Sequence, residues 1–170
     1  AACASGGHSI GESARAIERG DADVMFAGGS EAPIVDLAVA AFANMKALST
    51  RNESPATASR PFDIDRDGFV IGEGAAVLVL EDLERARARG ANILAHVLGY
   101  GMTADAASVA QPTEDGEGAQ RCMRDAIVDA GLNPSDVDYL NAHATSTPQG
   151  DPSEVRAIRA VFGEHTQRLP

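Results

Sequence analysis

Cys3 stands in Ala2-Cys3-Ala4-Ser5-Gly6-Gly7, and a helical pattern begins directly after it. Ile10, Ala14 and Ile17 recur at helical spacing on one face. Ser5 and the two glycines are placed to cap and open that helix. A thiol at a helix start meets the positive end of the dipole and unpaired N–H groups, and both favour thiolate, the nucleophilic form. The small neighbours leave room for a substrate. The same residue types also suit a buried structural cysteine. A second stretch with chemical capacity is Asn141-Ala142-His143-Ala144-Thr145-Ser146-Thr147-Pro148-Gln149-Gly150-Asp151. Its imidazole can polarise a carbonyl or move a proton, and Thr145 and Thr147 offer hydroxyls to a polar ligand. The stretch equally describes a plain connection into a capped helix.

The elements that must position these residues alternate. A helix is expected over residues 10–19, ended by Gly20, then a short apolar strand over 24–27, closed by Gly28-Gly29. A helical stretch over 34–45 leads to a loop of about 20 residues (49–68), long enough to suggest a functional role. Strands are expected over 75–80 and 93–100, with a helix over 83–89 between them, ended by Gly90. Ala119, Cys122, Met123, Ala126, Ile127 and Ala130 form one helix stripe, stopped at Gly131. A strand over 137–141 runs into His143, and Pro152 opens a helix through Val161, stopped at Gly163. This alternation describes an α/β layered sheet with helices on its faces. It places His143 at the C-terminal end of a strand, where such sheets bind ligands.

Composition narrows the function classes. Hydrophobic residues make up 44% and aromatics only 4%, with no Trp, so a core would be built from Ala, Val, Ile and Leu. A net charge of −11 argues against nucleic acid and anionic membranes as partners. It would also repel an acidic protein, which would have to dock on a local basic patch. Two cysteines are too few for a disulfide framework and suggest a reducing, cytoplasmic setting. No apolar run approaches membrane-spanning length. The chain begins without Met inside a motif, so it reads as an internal piece of a longer protein. Three partial motifs carry less. Asp63-Ile64-Asp65-Arg66-Asp67-Gly68 matches half a calcium loop, but the position that needs a bidentate Glu is Gly74. Those acids are expected to form turns and pair with Arg60 and Arg66, and no metal site is expected. Thr145-Ser146-Thr147-Pro148 faintly resembles a subtilisin-like nucleophile region without its partners, and Asn52-Glu53-Ser54 is a chance-level glycosylation sequon.

Several stretches together resemble the β-ketoacyl-acyl carrier protein synthases, most like type II of the dissociated bacterial fatty-acid system. They are Cys3-Ala4-Ser5-Gly6, Gly20 to Met25, Ala47-Leu48-Ser49-Thr50-Arg51-Asn52, Ser59-Arg60-Pro61-Phe62-Asp63, Arg66-Asp67-Gly68-Phe69-Val70, and Asn141 to Asp151. The resemblance implies a thiolase-like αβαβα layered fold of two similar halves. Residues 1–91 would end the N-terminal half and 92–170 begin the C-terminal half, so the piece spans the seam. It implies a decarboxylating Claisen condensation in which Cys3 takes an acyl chain as a thioester. Malonyl-acyl carrier protein then loses carbon dioxide, and the carbanion attacks that thioester. His143 would donate a hydrogen bond to the malonyl thioester carbonyl, and Thr145 and Thr147 would bond the phosphopantetheine arm. Phe42 would line the acyl pocket, Asp105 would lie on a mobile loop over the site, and Glu154 would pair with an active-site lysine. Lys46 would contact the carrier protein, and as a basic residue it also suits a solvated helix charge. No resident cofactor is implied, because the carrier protein delivers the arm.

Departures from the pattern are also expectations to test. Ala144 replaces the usual glycine after the histidine, a minor change if the backbone there is not left-handed. Ala107-Ser108 lacks the aromatic-histidine pair of some relatives. The family's lysine, second histidine and glycine-rich phenylalanine loop would lie beyond Pro170, so the piece alone would be inactive. It would also leave sheet edges unpaired and fold poorly. In the whole protein the resemblance implies a homodimer. Alternatives are a polyketide ketosynthase, a noncatalytic chain-length subunit, which usually lacks the cysteine, and a degradative thiolase, which uses coenzyme A.

Overall fold

The computed structural model describes residues 2–170. Its first helix, α1, spans Ser5–Glu18, starting five residues before the expected one. Ser5 is the first helical residue rather than the cap. Ala4 occupies the cap position with helical φ and ψ and no side-chain cap bond. A backbone turn feeds the helix instead: Ser5 N–H donates to Ala2 O at 3.1 Å and His8 N–H to Ala4 O at 2.9 Å. The helix ends where expected. Gly20 takes φ +74°, and the N–H groups of Gly20 and Asp21 bond back to Ile17 O and Ala16 O, the paired bonds of a Schellman ending.

Strand β1, Val24–Glu31, pairs antiparallel with β2, Gly74–Glu81, in the register Val24↔Glu81 to Glu31↔Gly74. The strand was expected to close at Gly28-Gly29 but runs through them. α1 lies against this stretch: Gly28 N–H donates to Ser9 Oγ at 3.1 Å, and a Cβ on Gly29 would stand at ordinary contact distance, 3.4 Å, from Gly6 Cα, whereas a Cβ on Gly28 would run into the β2 backbone at Ala76. α1 packs on β1, whose Ala27 is 1% exposed. The alternate strand positions are bare, with Phe26, Val77 and Val79 exposed.

Helix α2, Asp36–Asn44, ends in the same paired-bond pattern, with Lys46 N–H to Ala43 O and Ala47 N–H to Phe42 O. Here the left-handed position belongs to Lys46, φ +55°, where glycine is the usual choice. Helix α3, Leu83–Ala88, is capped by Asp82, whose carboxylate accepts from Arg85 N–H at 2.9 Å. Helix α4, Glu117–Asp129, presents the expected stripe and stops at Gly131. Helix α5, Gly150–Phe162, starts two residues before Pro152 and packs on α4, with Ala157 and Phe162 buried.

The expected strands over 93–100 and 137–141 are absent. A strand is defined by a ladder, and among the described residues neither segment has a pairing partner; the sheet is β1 and β2 alone. The segment around Tyr100 instead packs between helices through Gly99 and Gly101.

Candidate active site

Cys3 lies in the turn of residues 2–4 directly before α1, and its thiol is free and exposed. Of the two roles its residue type allowed, the buried structural one does not fit. The tight backbone turn places the thiol at the helix start whether or not a side chain caps it.

His143 is exposed on the loop before α5, and α5 itself holds that loop. Glu154, on the helix, accepts from His143 N–H at 2.6 Å through Oε1 and from Ala144 N–H at 2.8 Å through Oε2. The family resemblance implied a lysine partner for Glu154; in the structure its carboxylate clamps the backbone beside the imidazole. Ala144 takes φ +47° and Ser146 φ +68°. The methyl of Ala144 is therefore not the minor change expected, since a Cβ in the left-handed region is strained. The Thr145 and Thr147 hydroxyls stand 3.1 Å apart, both half-buried, and Thr147 Oγ1 accepts from Gly150 N–H at 3.0 Å.

The long loop 49–69 is what supports this turn. Ser146 is fully buried: its Oγ accepts from Arg60 N–H at 3.0 Å and its carbonyl from Gly68 N–H at 3.0 Å. That burial and those partners rule out the nucleophile that its neighbours faintly suggested. Asp151, 1% exposed, accepts from Ser146 N–H at 3.0 Å and from Phe62 N–H at 2.7 Å. Arg66 donates to the carbonyls of Thr147 and Pro148, each at 3.0 Å, and stands 3.7 Å from Asp151. Sequence reasoning missed Ser146, Asp151 and Arg66 as a unit. The available signal was one acid in the first turn of a helix behind a hydroxyl-rich loop, a position suited to gathering loop N–H groups.

The half calcium motif is consumed within the same loop. Asp63 accepts from Asp65 N–H and pairs with Arg60 at 3.2 Å, and these hold its carboxyl below the usual range. Asp67 accepts from Ser49 Oγ at 2.7 Å and Thr50 N–H at 3.1 Å, with the same direction of shift. Arg66 reaches the carbonyl of Asp63 rather than its carboxylate, which corrects the expected pairing.

The remaining candidates sit on separate elements. Phe42, on α2, meets the Phe69 ring edge-on with centroids 5.2 Å apart. Lys46 is exposed just past α2, and among the described residues no ion pair engages it. Asp105 is half-buried and accepts from Thr113 N–H at 3.1 Å, so its carboxylate holds the 105–113 loop toward the start of α4. Among the described residues no hydrogen bond joins Cys3 to His143.

Comparison with known proteins adds a family. The family description "Beta-ketoacyl synthase, N-terminal domain" matches residues 1–86, and "Beta-ketoacyl synthase, C-terminal domain" matches residues 94–170. The chain is 59% identical over 165 residues to a mitochondrial 3-oxoacyl-[acyl-carrier-protein] synthase of Arabidopsis thaliana, covering 96% of this chain and 36% of that one. It is 55% identical over 168 residues to 3-oxoacyl-[acyl-carrier-protein] synthase 2 of Staphylococcus aureus, covering 99% and 41%. The chain thus spans about two fifths of the length of these curated relatives. Among solved structures, a type II PKS acyl-carrier protein in complex with its ketosynthase bound to the hexaketide aligns at TM-score 0.95 and 41% identity, covering 99% of this chain and 41% of that one. A β-ketoacyl synthase from Burkholderia phymatum STM815 aligns at TM-score 0.91 and 46% identity, covering 95% and 39%.

Proposed function

The chain belongs to the β-ketoacyl synthase family and takes up part of its thiolase-like α/β fold, and from that membership we propose that the protein carrying it is a 3-oxoacyl-[acyl-carrier-protein] synthase of fatty-acid elongation. The observation that carries the reading is the exposed Cys3 thiol at the start of α1 in a chain 55–59% identical to such synthases. Identity to the polyketide neighbour is lower, at 41%, which favours the fatty-acid role. The presence of Cys3 argues against a noncatalytic chain-length subunit.

In the proposed reaction, Cys3 Sγ attacks the thioester carbonyl of an acyl-acyl carrier protein. The tetrahedral species collapses, the pantetheine thiol leaves with a proton, and the chain rests on Cys3. The malonyl thioester then loses carbon dioxide, and the electron pair of the broken C–C bond forms an enolate. A hydrogen bond from the His143 imidazole to the thioester oxygen stabilises that enolate, the kind of preorganised donor that acts where charge develops. The enolate carbon attacks the acyl-Cys3 carbonyl, and collapse breaks the C–S bond, releasing the β-ketoacyl carrier and the Cys3 thiolate, which regains its proton from solvent. Thr145 and Thr147 are the proposed contacts of the pantetheine arm, Phe42 of the acyl chain, and Asp105 of the loop over the site. The acyl carrier protein is the proposed partner, and Lys46 its local basic contact in an acidic chain. Residues 1–91 are the proposed end of the N-terminal thiolase-like half and 92–170 the proposed start of the C-terminal half, the protein a homodimer, and its place of action the reducing cytoplasm.

Mass spectrometry after incubation with acyl carrier protein tests the assignment. The acyl adduct should sit on Cys3, and Cys3→Ser should abolish it with the fold intact. His143→Ala should slow malonyl decarboxylation by about a hundred- to a thousand-fold while sparing acylation. An adduct on Cys122, or decarboxylation that survives His143→Ala, overturns these roles.

A further inference from the structure

His8 lies one turn into α1 from Cys3, and its backbone N–H closes the first turn on Ala4 O at 2.9 Å. Its side chain turns away from the thiol to a residue 92 positions on: His8 Nδ1 stands 2.6 Å from the Tyr100 hydroxyl, with the rings nearly perpendicular. Tyr100 belongs to a Gly99-Tyr100-Gly101 run threaded between α1 and α4. A Cβ on Gly99 or Gly101 would overlap the backbone of α4 at Ala126 or Cys122, and one on Gly11 would overlap the Tyr100 ring. The run is thus seated on bare backbone on both sides, and Cys122 Sγ donates to Gly101 O at 3.2 Å.

A second contact fixes the same junction about two turns further along α1. Tyr100 N–H donates to Asp129 Oδ2 at 2.8 Å, and Arg15 reaches that oxygen at 2.5 Å. Arg15 and then the Tyr100 N–H hold the Asp129 carboxyl below its ordinary range, so it is charged and paired. Burial first, then Glu12 and Cys122, push the Tyr100 hydroxyl upward, so the phenol stays protonated. The helix that follows Cys3 is therefore pinned at two levels to residues from the other half of the chain.

We propose that His8 and Tyr100 are positioning residues for Cys3: their bond locks the first turn of α1 against the Gly99–Gly101 run and so fixes where the thiol stands. This rests on the synthase reading. Neither residue touches a reacting atom. The bond acts through the Ala4 carbonyl, next in sequence to Cys3, where a displacement of about 1 Å is enough to cost a large factor in rate.

The test uses the intact protein and three rates: alkylation of Cys3 by iodoacetamide across pH, acylation of Cys3 by acyl carrier protein, and decarboxylation of malonyl carrier protein. Tyr100→Phe keeps the ring over Gly11 and the Asp129 contacts, so it should fold. It should slow alkylation and acylation by about tenfold, with the KM for the acyl carrier and malonyl decarboxylation at parental values. His8→Asn, which retains a polar atom near the Nδ1 position, should recover most of what His8→Ala loses. His8→Ala with Tyr100→Phe should lose no more than either alone, because both remove one bond. Parental alkylation and acylation in Tyr100→Phe overturn the proposal, as do additive losses or a fall in decarboxylation equal to that in acylation. Should the parent protein take no acyl group on Cys3, the synthase reading falls instead, while the alkylation rates still decide the positioning role.

Discussion

Glu154 satisfies two adjacent backbone N–H groups at the residue that carries the imidazole, and the backbone it holds is left-handed at Ala144. The strain of a Cβ at φ +47° and the two charge-assisted bonds oppose each other locally. Ala144→Gly should therefore stabilise the protein by about 0.5–1 kcal/mol, the relief of strain less the extra freedom of an unfolded glycine. Urea denaturation measures this. A destabilised Ala144→Gly would mean that the methyl packs well enough to outweigh its backbone cost. Lys46 carries the same strain without a glycine, at the very position proposed to meet the carrier protein.

At the scale of elements, the 49–69 loop and the start of α5 act as one piece because Asp151 gathers a donor from each. Both N–H groups, from Phe62 and Ser146, end on one carboxylate that is almost wholly buried, with Arg66 alongside. Asp151→Ala leaves two buried donors and a neighbouring cation without their acceptor. The expected loss is about 3–5 kcal/mol, the scale for breaking a buried pair on one side. Limited proteolysis should then cut within 49–69 earlier than in the parent. A protein equally resistant after the substitution would place the strength of this junction in the Arg66 bonds to Thr147 and Pro148 instead.

Across the whole molecule, ion pairs add to a core in which, among the described residues, the buried apolar side chains are few and all but Phe162 are alanines: Ala27, Ala58, Ala86 and Ala157. Asp63, Asp67, Glu81, Asp129 and Asp136 all have carboxyl groups held below their ordinary range, chiefly by arginines and backbone or hydroxyl donors. A lowered folded-state pKa means that the unfolded chain takes up protons first as pH falls. The stability these groups supply is thus complete above the ordinary carboxylate values and drains away as pH drops through the folded ones. Urea midpoints should be flat from these groups above about pH 5 and decline below about pH 4, modestly because solvent screens exposed pairs. High salt should blunt the fall, since most of these pairs are exposed. A midpoint that rose on acidification would assign stability to relief of the net charge of −11 instead.

Local signals were legible without a fold. Helix ends at Gly20, Gly90 and Gly131 follow from one backbone position that favours glycine, and the α4 stripe follows from helical period. The family was legible as a resemblance carried jointly by several stretches, those around Cys3 and His143 among them, since each alone also fits a structural reading. What the tertiary structure decided depends on partners distant in sequence. Residues 93–100 and 137–141 have strand-like composition, yet without a ladder they are not strands, and β1 continues through two glycines because β2 pairs with both of them. The left-handed turn at Ala144, the Asp151 junction across 89 residues and the His8–Tyr100 bond across 92 are equally invisible in any window of the chain. Composition and period report the preferences of a segment, whereas register, left-handed turns and buried acceptors are settled by which other segment arrives to bond them.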